Sequence, residues 1–341
     1  MDIQSLFGVK DKVVLITGGA KGIGRMISEA FIVNGARVYI ASRDAAACTS
    51  ACAELNALPN IRPNSAIPLP ADLSKLSECE RLVKDISARE SKLHILINNS
   101  GATWGADYES YPDSAWSKLL TLNLQRVFTL TQLLTPLLEA AGQASRLTPS
   151  GPVTDPGRVI HIGSIDALRV PLLPTFAYSA SKAGLHHLSR HLAVQLGPRG
   201  ITSNTLACGP FPSKMMAATL RDMGEVIEGA NPLGRIGVPS DVGGACRLPG
   251  EQEKRIAKGS RVEVNATSNL YDNPTLSKSR INTAICARFA ASATSVKSLR
   301  KASVEWVFAG GGGGGTILLC GDCCVVEKDE ACVVERESIV V

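Results

Sequence analysis

Tyr178 and Lys182 stand at either end of the run Tyr178-Ser179-Ala180-Ser181-Lys182. The apolar residues that follow, Leu185, Leu188, Leu192 and Leu196, recur at helical spacing, so the pair falls one turn apart on one helix face. That sets an ammonium beside a phenol. A tyrosine hydroxyl titrates near ~10 and is a poor acid–base group at neutral pH, whereas a neighbouring positive charge favours the phenolate. The expectation is a tyrosine whose pKa Lys182 pulls down, ready to exchange a proton with a bound oxygen. The same spacing also occurs on ordinary helix surfaces, so its meaning depends on the elements around it.

Those elements alternate. Lys12 to Thr17 is a short apolar run of the kind buried parallel strands show, and Gly18-Gly19-Ala20-Lys21-Gly22-Ile23-Gly24 follows it directly. A helical pattern through Ile27, Ala30, Phe31 and Val33 ends at Gly35, and Arg37 to Ala41 reads as the next strand. Strand, glycine turn, helix and strand form the context of a dinucleotide site, in which glycines let the backbone approach a pyrophosphate at the helix N-terminus. Further strands are predicted at Ala66 to Ala71, Leu93 to Ile97, Arg158 to Ile162 and Ile201 to Leu206. Helices are predicted at Leu76 to Ser87 and from about Trp116 to Leu138. Repeated strand–helix units imply an α/β doubly wound parallel sheet with helices on both faces and ligands at the carboxyl ends of its strands.

At the end of the second strand, where an NAD site presents an acidic residue to the ribose, this chain has Ser42 and then Arg43. Arg43, with Lys21 in the glycine turn, suits a 2′-phosphate, which points to NADPH. The competing reading leaves Arg43 solvated and gives Asp44 the acidic role.

Composition excludes several other classes. The 341 residues are 45% hydrophobic and 20% charged, enough for a buried core. No run of eighteen apolar residues and no signal pattern is found, so the expectation is a cytoplasmic protein away from membranes. The net charge of +5 is concentrated in residues 247–309, while residues 310–341 are acidic; with aromatics at only 4%, a nucleic-acid partner is not expected. The ten cysteines are irregularly spaced and read as reduced, small apolar residues. Cys320, Cys323, Cys324 and Cys332 lack the second pair that a zinc site needs, so no metal is expected. Adjacent His186 and His187 point in different directions on a helix and read as surface or packing.

Taken in order, Thr17-Gly18-x-x-x-Gly22-Ile23-Gly24, Asn98-Asn99-Ser100-Gly101, Asn123, Ser164, Tyr178-x-x-x-Lys182 and Gly209-x-x-x-Ser213 resemble the short-chain dehydrogenase/reductase family. The resemblance runs from about Leu6 to Cys246. Phe211 to Met215 and Asn231 to Arg235 are most similar to 3-oxoacyl-acyl-carrier-protein reductases of the rhamnolipid-synthesis type and their fungal relatives. It implies reduction of a ketone, either a 3-oxoacyl thioester or a polyketide- or terpenoid-derived ketone, in secondary metabolism; the alternatives are an NAD-dependent alcohol dehydrogenase, or a nucleotide-binding protein without turnover should the C-terminal segment disrupt the site. Tyr178 is then the proton donor, Ser164 the hydrogen-bond partner of the substrate oxygen, Lys182 the group holding the nicotinamide ribose, and Asn123 the anchor of a relay water. The resemblance places Thr17, Gly18, Lys21, Gly22, Ile23, Gly24, Ser42, Arg43, Asp72, Leu73, Asn99, Gly101, Gly209 and Ser213 along the cofactor, with Asp72 and Leu73 framing the adenine and Ser213 at the carboxamide. A homo-oligomer is also implied. Hydride arrival builds negative charge on the carbonyl oxygen, and preorganised donors there favour the transition state.

Two departures stand out. Cys208 replaces a proline that is usual before Gly209, and the resemblance stops at Ala245-Cys246. The expected organisation is a Rossmann domain over 1–246, a disordered or aberrant insertion over 247–309, and a Gly-rich segment with an acidic tail over 310–341. Thr316 to Leu319 is the candidate for a displaced final strand.

Overall fold

The computed structural model describes residues 7–146, 148, 151, 153–171, 173–231 and 233–247, together with the backbone of Arg261–Val264. All of them belong to the unit Met1–Ser268. In chain order the elements are β1 (Val13–Thr17), α1 (Gly22–Val33), β2 (Arg37–Ala41), α2 (Ala45–Asn56), β3 (Ala66–Pro68), α3 (Leu76–Ser87), β4 (Ile95–Asn98), α4 (Asp113–Leu120), α5 (Arg126–Gln143), β5 (Gly157–Ile162), α6 (Phe176–Leu196), β6 (Ile201–Cys208), α7 (Ala217–Gly229), α8 (Pro239–Arg247) and β7 (Arg261–Val264).

The strands make one parallel sheet in the order β3-β2-β1-β4-β5-β6-β7. This is the doubly wound architecture that the alternation predicts. Winding reverses between β1 and β4, and the crevice at their carboxyl ends is the place where such sheets bind ligands. Alternate residues of each strand enter opposite cores, as a period of two requires. Val14, Ile16, Val38, Ile40, Ile97 and Ile160 pack with Ile27, Phe31, Leu55 and Val242 on one face. On the other, Val13, Leu15, Tyr39, Leu96 and Val159 pack with Leu82, Ile86, Leu130, Leu134 and Leu192. Cys48, Cys52, Cys79, Cys208 and Cys246 are free and buried in these cores, as small apolar residues should be.

Some elements depart from the sequence pattern. β3 is shorter than Ala66 to Ala71, because Pro68 and Pro70 have no N–H to donate to a ladder. The backbone nonetheless follows β2, with Leu69 N donating to Ile40 O (2.9 Å) and Ala71 N to Ser42 O (3.0 Å). The single helix expected from Trp116 to Leu138 is α4 and α5 joined by a π-helical turn, Thr121–Gln125. The edge strand β7 comes from Arg261–Val264, inside the stretch where the sequence pattern predicts no element. It occupies the place beside β6 that the sequence analysis offers to Thr316 to Leu319, which lies outside the described residues. The 310–341 segment and its cysteines lie outside them too.

A histidine joins the first two strands of the switch point. His94 Nδ1 accepts from Val13 N at 2.9 Å, so the ring must be unprotonated there. Burial, reinforced by the Lys12 charge, lowers its pKa to about 4; burial lowers that of His161, near the carboxyl end of β5, to about 3. Between the ordinary histidine pKa of 6.5 and about 4, the unfolded chain takes up a proton at His94 that the folded chain does not. Stability therefore falls as pH is lowered through that window. His94→Asn keeps an acceptor near the Nδ1 position without a titrating ring, so its urea midpoint should fall less between pH 6.5 and 4.5 than that of the parent protein. Parallel curves for the two proteins would show that His94 carries none of this pH dependence.

Candidate active site

The glycine turn between β1 and α1 is held from below. Thr17, buried at the end of β1, donates its hydroxyl to Ile97 O (3.2 Å) and accepts from Asn99 N and Ser100 N (2.9 Å each). Asn99 returns its amide to Thr17 O (2.9 Å) and Gly18 O (3.2 Å). Gly18 and Gly22 take left-handed φ values of 66° and 54°. A Cβ on Gly24 would meet Gly18 O at 2.2 Å, so the helix start lies directly against the turn. The first turn of α1 carries no acidic residue, and its N-cap, Lys21, makes no side-chain capping bond. Such an N-terminus suits an anionic group, and the turn therefore fits a dinucleotide phosphate. Ser213 faces this turn: a Cβ on Gly22 would lie 3.1 Å from its Cβ. Ser213 Oγ also accepts from Met216 N (3.3 Å). Gly209 follows β6 at the same end of the sheet.

Around the end of β2 the charges sort themselves differently from the expectation. Lys21 pairs with Asp44 (2.9 Å), and Asp44 also caps α2 by accepting from Ala47 N (2.9 Å). The Lys21 ammonium holds the Asp44 carboxyl below the usual range. Arg43 is exposed and enters no ion pair among the described residues, and Ser42 Oγ accepts from Asp44 N (3.5 Å). Asp72 is occupied by Ser74, whose N–H and hydroxyl it accepts at 3.1 and 2.8 Å, while Leu73 is buried in the core. Ile23 packs half-buried against the other core.

A second group converges beside the first. Asn123, fully buried, lies in the π-helical turn, which Arg126 N closes onto Thr121 O. Its Nδ2 donates to Ala102 O (2.9 Å) and Ser181 Oγ (3.0 Å), and its Oδ1 accepts from Ala102 N (2.9 Å). A Cβ on Gly101 would meet Asn123 Oδ1 at 3.3 Å and Lys182 Nζ at 3.6 Å. The structure thus brings the β4 loop, the π turn and α6 to one point. Lys182, buried, donates to Ile162 O (2.7 Å) and lies 5.8 Å from the centre of the Tyr178 ring. Ser164, buried just beyond the end of β5, accepts from Asp166 N (3.1 Å), and its hydroxyl is near enough to the Tyr178 phenol to lower its pKa.

The electrostatics correct one expectation. Burial pushes the Tyr178 phenol up to about 12, the hydrogen bond from Ser164 opposing it, so the direction is the reverse of that expected from Lys182 alone. Lys182 is itself lowered to about 8 by burial. Tyr178 is half-buried, but the surroundings of its hydroxyl are dry enough for desolvation to dominate.

Two more groups belong to this layer: His186, which the sequence reads as surface or packing, and Asp166, which it does not single out. His186 is buried one turn beyond Lys182, and its Nε2 accepts from Ser164 N (3.4 Å); the four-residue spacing from Lys182 was the available signal. Asp166, paired with Arg169 (3.7 Å) and raised by burial, contributes to the rise at Tyr178. His187, by contrast, is exposed beside Arg190 (2.9 Å).

The three hydrogen bonds of Asn123 make it a structural keystone whatever else it does. Asn123→Ala strands the Ala102 carbonyl and amide, and the loss should be roughly 2–4 kcal/mol of unfolding free energy, at ~1 kcal/mol per bond. Chemical denaturation measures it, and a change under 0.5 kcal/mol would contradict this geometry.

The family model described as short chain dehydrogenase matches residues 12–224. A rhamnolipids biosynthesis 3-oxoacyl-acyl-carrier-protein reductase from Pseudomonas aeruginosa is 38% identical over 238 residues, covering 69% of this chain and 88% of that protein. The short-chain dehydrogenase/reductase PhomF of Diaporthe leptostromiformis is 31% identical over 70% of this chain and 85% of its own. Among solved structures, the Pseudomonas aeruginosa RhlG/NADP active-site complex matches with a TM-score of 0.68 at 35% identity, covering 76% of this chain and 97% of that one. A short-chain type dehydrogenase/reductase from Mycobacterium marinum, 22% identical over 77% of this chain and 98% of that one, shares the fold at a TM-score of 0.67.

Proposed function

Given that the chain belongs to the short-chain dehydrogenase/reductase family, we propose that it reduces a ketone to a secondary alcohol with NADPH as the reductant. The observation that carries this reading is the meeting of Ser164, Tyr178, Lys182 and Asn123 beside the glycine turn. The nicotinamide, when bound, supplies the hydride. Ser164 and Tyr178 then act at the carbonyl oxygen, where negative charge accumulates. A phenol held up at about 12 keeps its proton at neutral pH, which is the state that a proton donor needs. Lys182, at about 8, is mostly charged at pH 7 and stabilises the phenolate left by that transfer.

The glycine turn, Asn99, Gly101, Gly209 and Ser213 would line the cofactor, and exposed Arg43 with Lys21 would meet its 2′-phosphate. Asp72 would approach the adenine with the oxygen that Ser74 leaves, which lies 3.9 Å from Lys75 Nζ. Among substrates, a 3-oxoacyl thioester is favoured by the likeness to a 3-oxoacyl-acyl-carrier-protein reductase, with a polyketide- or terpenoid-derived ketone as the alternative. A cytoplasmic setting in secondary metabolism, with a catalytic unit over 1–246, fits this reading; no helix among the described residues is long and apolar enough to cross a membrane.

A second reading draws on Asp44. Its exposed, ionised carboxylate stands next to Arg43, where an NAD site would use it on the ribose hydroxyls, in an alcohol dehydrogenase working oxidatively.

Two variants test these readings. Tyr178→Phe should lower turnover by roughly a hundredfold or more while NADPH affinity stays within a few fold, because the lost group is an acid and not a cofactor anchor. Near-normal turnover would remove Tyr178 from the chemistry. Arg43→Ala should raise the apparent constant for NADPH by about ten- to a hundredfold and leave that for NADH nearly unchanged, the scale of one charge-assisted bond. Equal effects on both cofactors would favour the Asp44 reading.

A further inference from the structure

We infer that His186 is a positioning residue for Ser164, a neutral imidazole that fixes the serine's backbone so that its hydroxyl faces Tyr178. This inference rests on the reading of Ser164 and Tyr178 as the carbonyl-facing pair. His186 lies one turn after Lys182 on the inner face of α6 and is 5% exposed. Its Nε2 accepts from Ser164 N at 3.4 Å, which requires that nitrogen to be bare. The residue before the serine leaves room for the ring: a Cβ on Gly163 would come within 2.1 Å of His186 Nε2. Gly163 is in turn tied to β6, its N–H donating to Leu206 O at 2.8 Å.

Ser164 is thereby held at each of its polar groups. Its N–H is taken by His186, and its hydroxyl oxygen accepts from Asp166 N at 3.1 Å. What is left to the hydroxyl is the proton and one lone pair, and its lowering effect on the Tyr178 phenol sets it near that group. Without the imidazole the Ser164 amide is buried with no acceptor, and the turn after β5 must move to find one. Such a shift misplaces the hydroxyl without touching the glycine turn that would hold the cofactor. One helix thus carries Tyr178, Lys182 and the group that orients the serine opposite them.

The test compares His186→Leu, which keeps volume and removes the acceptor, with His186→Gln, whose amide reaches the Nε2 position. Amide hydrogen exchange of the peptide containing Ser164 is read by mass spectrometry, and steady-state kinetics use NADPH with acetoacetyl-coenzyme A as the probe. In His186→Leu the Ser164 amide should exchange at least about tenfold faster, and kcat should fall by about tenfold, the scale of one buried hydrogen bond. The KM for NADPH should stay within about twofold, since a lost orienting bond acts on the chemical step. His186→Gln should recover most of both losses. Adding His186→Leu to Ser164→Ala should cost nothing more, because the histidine acts only through that hydroxyl. Should His186→Leu not fold, Gly163→Ala displaces the ring instead and is expected to show the same fast exchange and lowered kcat.

Unchanged exchange at Ser164, failure of the glutamine to restore it, or a full additional loss in the double variant would overturn the inference. Fast exchange in His186→Leu together with an unaltered rate in Ser164→Ala would sink the catalytic reading of Ser164 and leave the hydrogen bond standing.

Discussion

Every other feature of the cleft depends on the hydroxyl of one buried threonine. Thr17 uses its proton on Ile97 O and both lone pairs on Asn99 N and Ser100 N, which exhausts what a hydroxyl can offer. It thereby fastens the carboxyl ends of β1 and β4, the strands on either side of the winding reversal, at a fixed separation. Asn99 completes the link by reaching back to Thr17 O and Gly18 O. The glycine turn is built on one side of this junction and the loop through Gly101 on the other. The Thr17 hydroxyl is thus spent within the chain, which makes it a frame for the turn.

The second organising fact is dryness. Lys182, His161 and Cys208 all have their charged forms penalised by burial, and so does the phenol of Tyr178. Cys208, whose thiol is pushed up to about 12, behaves as a neutral packing group beside Lys182. The His161 ring lies 3.4 Å from Asn98 Nδ2 and 3.2 Å from Ser203 Oγ, in a layer of uncharged polar groups beneath the site. In such surroundings a charge that develops on a bound oxygen has few competitors for the nearby donors, and each donor is worth more than it would be in water.

Much of this was readable from residue order. The strands Val13–Thr17 and Arg37–Ala41 are apolar runs that fit only a sheet covered on both faces, and the glycine turn between them fixes the local topology. The cluster of Asn123, Ser164, Tyr178 and Lys182 was visible as motifs in register. What escaped lies where local pattern carries little information. Helix α2 presents Cys48, Ala51 and Cys52 as its apolar face, small residues that give weak periodicity. The pairing of Lys21 with Asp44, the occupation of Asp72 by Ser74 and the burial of Leu73 depend on neighbours far along the chain or on turn geometry. The Tyr178 pKa went the other way because a spacing argument sees the ammonium but not the desolvation. Strand β7 is four residues, Arg-Val-Glu-Val, set in a polar and basic stretch, too short to rise above it.

The π-helical turn at Thr121–Gln125 has a bearing on how this helical arm tolerates length changes. A π turn amounts to one residue more than an α-helix would use, and each residue advances a helix by about 100°. The apolar stripe of α4, with Ala115 and Leu119, and that of α5, with Val127, Leu130 and Leu134, are therefore out of phase by that step, yet both face inward. Deleting one residue within the turn would therefore restore an unbroken α-helix with both stripes still turned inward, and what it would disturb is the placement of Asn123 against Ala102. The extra residue is thus not what the packing of either stripe requires: its role is local, setting where the Asn123 amide points.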